Sequence, residues 1–289
     1  MRFNLKCVKY NDTVTISVFD DLVGFDDGYA RPPNPNISKE KKNVVIEPFT
    51  NTEVTVIESD EDIFYKKQDS LRKSVQRSKR NVLTIIRSMN LENALFVTLT
   101  FDNAKVNRSD FSKCCSKTRI WLQNQRKNIG ADNLSFLCVP ELHSDLSSWH
   151  MHCILCDYGD LSLVDSNHKD KTGKTIYNIE SWKYGFSTAI KIETDSMTSI
   201  KLAKYVTKYF TKESAMIAHN RHRYFSSQNI PKPIVKTWNV ECEQEKEAII
   251  KSIYDEGFQP ISESHYDGFV GIDYIEAVKM KNSRKEADI

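Results

Sequence analysis

Residues 136–155 read FLCVPELHSDLSSWHMHCIL, and this segment is the most informative one about the fold. Apolar runs on either side of the polar turn HSDLSS predict two strands, 135–142 and 149–156, joined as a hairpin. Because side chains of a strand alternate between its two faces, His150 and His152 leave the same face. Folding the chain about residues 145–147 brings Glu141 opposite these histidines. The sequence therefore predicts a hairpin that gathers two imidazoles and one carboxylate.

Two histidines and one carboxylate form a candidate metal site. The three predicted ligands, His150, His152 and Glu141, leave coordination positions open, and the carboxylate oxygen favours Mg²⁺ or Mn²⁺. An ion of this kind polarises a phosphate as a Lewis acid. His143 has the same strand parity as Glu141 and competes with it for the third position. Two strand histidines held by ordinary hydrogen bonds are the structural alternative.

The segments around the hairpin predict the rest of the core. Strands are expected at 94–101 and 185–193, and helices at 109–127 and 196–213. Strands that are neighbours in sequence and joined by short polar turns favour a largely antiparallel sheet with helices packed on one face. We therefore expect an α+β fold, divided into a strand-rich arm (1–65), a basic helix (66–90), a core domain (91–240) and an acidic helical tail (241–289).

A second segment, KLAKYVTKYFTK at residues 201–212, carries candidate nucleophiles. On a helix, Tyr205 and Tyr209 lie one turn apart on the boundary between an apolar face and a lysine face. A tyrosine hydroxyl with its ordinary pKa of about 10 needs a cation or a polarised phosphate to attack. Lys208 and Lys212 each follow a tyrosine by three residues and supply that cation. Attack on DNA would give a tyrosyl phosphate ester, with Tyr205 favoured for the first cut, whereas an amphipathic helix with two surface aromatics is the structural alternative.

Charge is distributed unevenly, although the net charge is only +2. The stretch 66–90 is basic, while glutamates gather after residue 240. A basic helix is either a solvated face or a DNA-backbone contact. The residues predicted to contact DNA are Lys201, Lys204, Arg72, Arg77 and Arg80.

Composition is typical of a globular protein of the cytoplasm. The chain has 289 residues, 39% of them hydrophobic, and no run of about 18 apolar residues that would predict a membrane span. Its seven cysteines lack the dense spacing of a disulfide framework. Cys153 and Cys156 form a CxxC, but they point to opposite faces of one strand, which favours buried packing. We expect a host bacterial cytoplasm and no membrane partner.

Taken together, the motifs resemble the HUH endonuclease superfamily, in particular two-tyrosine rolling-circle replication initiators of small phages and plasmids. The matching segments are FVTLTF (96–101), HMH (150–152) and YVTKYFTK (205–212), and WKYGF (182–186) and RYFSSQNIPKP (223–233) are also similar to parts of that family. The resemblance covers about residues 91–235. The turn before the histidines lacks the family's usual glycine, and its acidic residue is matched only by Glu141.

The resemblance implies a specific chemistry and a specific fold. It implies a five-stranded antiparallel sheet of RNA-recognition-like topology, Mg²⁺ or Mn²⁺, a covalent 5′-phosphotyrosine and a free 3′-OH that primes synthesis. Two tyrosines would then serve initiation and termination. Single-stranded DNA or an origin hairpin is the expected substrate, and a host helicase and polymerase are candidate partners. The alternatives are a transposase, a mobilisation relaxase, or a non-catalytic domain that binds single strands by stacking bases and following phosphates.

Overall fold

The computed structural model describes residues 2–24, 44–46, 53–55, 60–128, 133–144, 146–210, 221–268 and 270–280. Within these ranges the chain forms an α+β fold with two antiparallel sheets, which confirms the predicted fold class. The helices are α1 (Asp60–Ser88), α2 (Phe111–Asn128), α3 (Thr198–Val206) and α4 (Glu243–Asp255). The strands are β1 (Arg2–Lys9), β2 (Thr13–Gly24), β3 (Val44–Ile46), β4 (Glu53–Thr55), β5 (Ala94–Leu99), β6 (Ser135–Leu142), β7 (Trp149–Cys156), β8 (Leu163–Lys169), β9 (Thr175–Ile179), β10 (Ser187–Lys191), β11 (Phe225–Ser226), β12 (Ile234–Trp238), β13 (Phe258–Tyr266) and β14 (Ile272–Lys279).

The central sheet has seven strands in the order β11-β6-β7-β5-β10-β9-β8. Each neighbouring pair in it is antiparallel, as predicted. The expectation of five strands is wrong because the β8–β9 hairpin and the two-residue strand β11 extend the sheet at both edges. Strand β8, LVDSNHK, is mostly exposed and polar, so it lacks the apolar alternation by which a strand is recognised.

Helices cover both faces of this sheet, which corrects the prediction of helices on one face. Side chains of α2, including Trp121 and Leu122, pack against the face that carries Met151 and Cys153. Helices α1 and α3 pack against the opposite face, where Ile154 lies. Strand β7 is almost fully buried because it is covered on both sides.

The cysteines of the CxxC pack as expected. Cys153 belongs to the α2 side of the core and Cys156 to the α1 and α3 side. Both are free and buried, and burial raises the pKa of the Cys156 thiol to about 12. The two thiols therefore act as small apolar side chains.

A second sheet joins the two ends of the chain, in the order β12-β1-β2-β14-β13. Leu5 and Ile16 from the N-terminal strands share a core with Phe258 and Ala277 from the C-terminal part and with Ile253 of α4. The prediction of a helical tail is therefore wrong beyond α4, where the chain forms the β13–β14 hairpin. The acidic composition of residues 241–289 hid the strand pattern.

Helix α1 connects the two sheets. Its inner side, including Val82 and Ile86, packs on the central sheet. Near its end the buried Arg87 side chain donates hydrogen bonds to Thr13 and Thr15 of β2 and to Glu276 of β14, at 2.9, 3.1 and 3.0 Å. No helix in the described ranges is both long and apolar enough to cross a membrane.

Candidate active site

The β6–β7 hairpin places the predicted ligands as its register requires. Glu141 pairs directly with His150, and Val139 pairs with His152. The turn is closed by a hydrogen bond from the His143 amide to the Ser148 carbonyl, 2.8 Å long. Glu141, His150 and His152 therefore lie on one face of the sheet, the face that α3 also covers.

His152 is the most constrained of these side chains. It is buried, and its Nε2 lies 2.5 Å from Oε2 of Glu141. Its other ring nitrogen, Nδ1, lies 3.2 Å from Oγ1 of Thr98 on β5. Hydrogen bonds at both nitrogens fix the imidazole plane and direct Nε2 at the carboxylate.

The third-ligand question has two structural answers. Glu141 faces His152, whereas the ring of His143 lies beside that of His150, with centroids 5.1 Å apart and planes tilted by 52°. Both candidates therefore remain next to a predicted histidine ligand.

The donor chemistry fits a hard divalent cation, although the ligands are not spread around one point. Among the residues that the structure describes, no three His, Cys, Asp or Glu side chains form a ready metal-binding group. Glu141 and His152 contact each other at 2.5 Å. Two donors at about 2.0–2.1 Å from Mg²⁺ and at a right angle would lie about 3 Å apart. The carboxylate would thus have to move back by about half an ångström to admit the ion.

The tyrosine segment is less regular than predicted. Helix α3 ends at Val206, and residues 207–209 form a 3-10 turn, so the prediction of one helix over 196–213 is wrong as far as residue 210. Val206 and Phe210 are buried against the sheet, which keeps the segment close to it. The two tyrosines still meet, with ring centroids 5.5 Å apart and planes at 85°.

The two tyrosines occupy different environments. The ring of Tyr209 is half-buried and stacks on His152 at 3.8 Å with an angle of 4° between planes. Tyr205 is 45% exposed, and its ring meets Phe96 of β5 edge-on at 5.5 Å. Burial raises the pKa of Tyr209, and its hydrogen bond with Tyr205 and the charges of Tyr205 and Glu141 raise it further. Tyr209 therefore keeps its proton, while Tyr205 faces solvent.

The lysines predicted to assist the tyrosines can be compared in part. The ammonium group of Lys208 lies over the Tyr205 ring, 5.6 Å from its centroid, so it approaches the tyrosine that it follows in sequence. Lys212 lies outside the described residues. Lys208 thus stands beside the more exposed candidate nucleophile.

The predicted DNA contacts fall on two separate surfaces. Lys204 is exposed on α3, and Lys201 forms an ion pair with Asp195 at 2.8 Å. On α1, Arg77 and Arg80 are exposed, and Arg72 is paired with Asp69 at 2.8 Å. The α3 lysines lie on the same short helix as Tyr205.

Two residues of β5 were missed by sequence reasoning. Thr98 binds His152 and is its direct register partner, and Phe96 packs between His152 and Tyr205. Their strand was predicted correctly. The signal that could have found them was strand parity, since a strand paired with HMH presents every second side chain to the histidine face.

Fold and site together define a class: an α+β protein whose antiparallel sheet carries a histidine–carboxylate pair beside two tyrosines. Residues 94–214 match the family model of Replication-associated protein ORF2. The matched segment starts at β5 and contains Glu141, both HMH histidines and both tyrosines. This match supports a rolling-circle replication initiator. Comparisons with curated proteins and with solved structures return no significant match.

Proposed function

We propose that this protein is a rolling-circle DNA replication initiator that nicks single-stranded DNA with a tyrosine and transfers the cut strand. The observation that carries the proposal is the contact between the two halves of the site. Tyr209 stacks on His152, which binds Glu141, and Tyr205 packs against Tyr209. Candidate nucleophiles and candidate metal ligands thus share one surface, inside the segment that matches a replication-associated family.

Tyr205 is the proposed first nucleophile because it is exposed and Tyr209 retains its proton. Its phenolic oxygen forms a bond to the scissile phosphorus as the bond from phosphorus to the 3′ oxygen breaks. The phenolic proton is lost and the leaving oxygen gains one, so the products are a 5′-phosphotyrosine and a free 3′-OH. One phosphodiester replaces another, so no co-reactant is consumed. A host polymerase could extend that 3′-OH.

The remaining residues prepare the phosphate for attack. Mg²⁺ or Mn²⁺, when held by His150, His152 and Glu141, would withdraw charge from the phosphate as a Lewis acid. Thr98 would keep the His152 ring oriented through Nδ1. Lys208, beside the Tyr205 ring, would attract the phosphate and balance charge that develops on it. Tyr209 would accept the strand in a second transfer.

Adduct formation tests this proposal. We would incubate the protein with Mn²⁺ and a labelled pool of hairpin oligonucleotides whose loop sequence is randomised, and then denature the mixture. The wild type should give a denaturant-resistant protein–DNA adduct, and the Tyr205→Phe/Tyr209→Phe variant should give none. Tyr177→Phe, a tyrosine that packs on the opposite face of the sheet, is the matched control and should retain the adduct.

The metal ligands are tested in the same assay. His150→Ala/His152→Ala should lose the adduct but still bind the oligonucleotides. An undiminished adduct in this variant would reject the ligands. Binding without any adduct in the wild type would instead support a non-catalytic domain that binds single strands.

A further inference from the structure

An exposed aromatic side chain lies on the same face of the sheet as the candidate active site. Phe186 is 59% exposed, immediately before β10. Thr188, two residues later, pairs with Thr98, which contacts His152. Because side chains alternate along a strand, this spacing puts Phe186 on the face that carries His152.

The strand registers place Phe186 in one row with the predicted ligands. Continuing the β5–β7 register by one residue puts Thr100 opposite His150, which in turn pairs with Glu141. Phe186 follows Thr100 in that row, and their backbones are joined by a hydrogen bond from the Thr100 amide to the Phe186 carbonyl, 2.9 Å long. With strands 4.7–4.9 Å apart, Phe186 is about 10 Å from His150 across the sheet.

The backbone at Phe186 is held in place. Its amide donates to Oγ1 of Thr100 at 3.1 Å, and the same hydroxyl donates back to the Phe186 carbonyl at 3.0 Å. The preceding turn is anchored by the buried Trp182, whose indole donates to the Thr100 carbonyl at 3.1 Å. A Cβ atom at Gly185 would overlap that same carbonyl oxygen, so the close approach of this turn requires glycine.

This arrangement exposes a ring that packing would normally bury. Burying a phenylalanine side chain stabilises a fold, although isolated exposed apolar residues are common on protein surfaces. Phe186 differs from an ordinary surface residue because several hydrogen bonds fix its backbone and because it stands beside a phosphate-directed site. An aromatic ring fixed in this way loses little conformational freedom when a base stacks on it.

We propose that Phe186 is a base-stacking residue that holds one base of the single-stranded DNA on the sheet, next to the scissile phosphate. This inference rests on the proposed function, since it needs DNA at the histidine face. Stacking is tolerant of sequence, because every base offers a π-face. Phe186 is thus a positioning residue: it would hold the strand while other residues act on the phosphate.

Fluorescence anisotropy with two oligonucleotides tests the proposal. One is a mixed-sequence single strand, and the other has the same length but consists of abasic nucleotides. Phe186→Ala should weaken binding of the first by about 5-fold to 150-fold, the range that base–aromatic stacking produces. It should leave binding of the abasic strand unchanged. Phe186→Trp should restore affinity, whereas Phe186→Leu, which keeps apolar area without a ring, should not.

Tyr266→Ala is the matched control, because Tyr266 is 61% exposed but lies on β13 of the second sheet. Its affinity for both strands should equal that of the wild type. The stacking role is refuted if Phe186→Ala binds the mixed-sequence strand normally, or if it weakens binding of both strands equally. These outcomes are separate from nicking: ring-dependent binding without any adduct supports Phe186 and rejects the tyrosine chemistry, and an adduct with ring-independent binding does the reverse.

Discussion

Replacing Thr98 by valine should weaken metal binding without changing any predicted ligand. For Nε2 of His152 to offer its lone pair to a cation, the ring proton must be on Nδ1, where Thr98 Oγ1 accepts it at 3.2 Å. Valine has nearly the same shape but cannot accept that hydrogen bond. A neutral hydrogen bond contributes about 0.5–1.5 kcal/mol, or about 2-fold to 13-fold in affinity. Loss of an outer-shell partner of a metal-binding histidine costs about 10-fold to 100-fold. The bond is neutral and half-buried, so we expect about a 10-fold loss, where the two ranges overlap.

Isothermal titration calorimetry with Mn²⁺ measures this effect independently of nicking. Thr98→Ser keeps the hydroxyl and should bind Mn²⁺ nearly as the wild type does. Thr188→Val is the matched control, since Thr188 is the register partner of Thr98 but lies one strand further from His152. Unchanged Mn²⁺ affinity in Thr98→Val, or an equal loss in Thr188→Val, would refute the idea that Thr98 orients the ligand.

Further predictions concern stability and pH. Arg87→Met should lower the free energy of unfolding in urea by about 2–4 kcal/mol, because it leaves Glu276 partly buried without its cation; a loss well under 1 kcal/mol would contradict this. Gly185→Ala should also destabilise the protein in that assay and reduce DNA affinity, since the added carbon overlaps a backbone carbonyl oxygen; wild-type stability would refute the close approach. Hydrogen bonds to Asp273 and to a second aspartate raise the pKa of His265 above its ordinary 6.5. This hairpin contribution is therefore fully present below pH 6.5 and is lost as pH rises through the folded-state pKa. NMR titration should show a raised pKa for His265 that falls in Asp273→Asn, and an unshifted value in the wild type would count against the pairing.

The sequence predicted the central hairpin because every signal there is local. Two apolar strands flank one polar turn, and the two-residue period fixes which side chains share a face. Glu141 and His150 accordingly pair in the structure. The tyrosine segment was harder, since helical spacing predicted both hydroxyls on one helix whereas α3 gives way to a 3-10 turn before Tyr209. Even so, a four-residue separation kept the two rings in contact.

The second sheet could not be predicted from local patterns. Strand β1 pairs with β12, and β2 pairs with β14, so their partners lie more than 200 residues away along the chain. No periodicity within one segment specifies such a partner. The same limit applies to Thr98, whose role depends on the register between β5 and β7. Patterns within the chain therefore predicted the elements, whereas long-range pairing decided how they meet.

The proposed mechanism links a tyrosine of this segment covalently to DNA. The most direct test is to digest the denatured adduct with protease and nuclease and to locate the attached nucleotide by tandem mass spectrometry. After a single turnover with Mn²⁺, the nucleotide phosphate should be found on Tyr205. A phosphate on Tyr209 would contradict the assigned order of attack. DNA cut without any nucleotide on either tyrosine would contradict the mechanism itself.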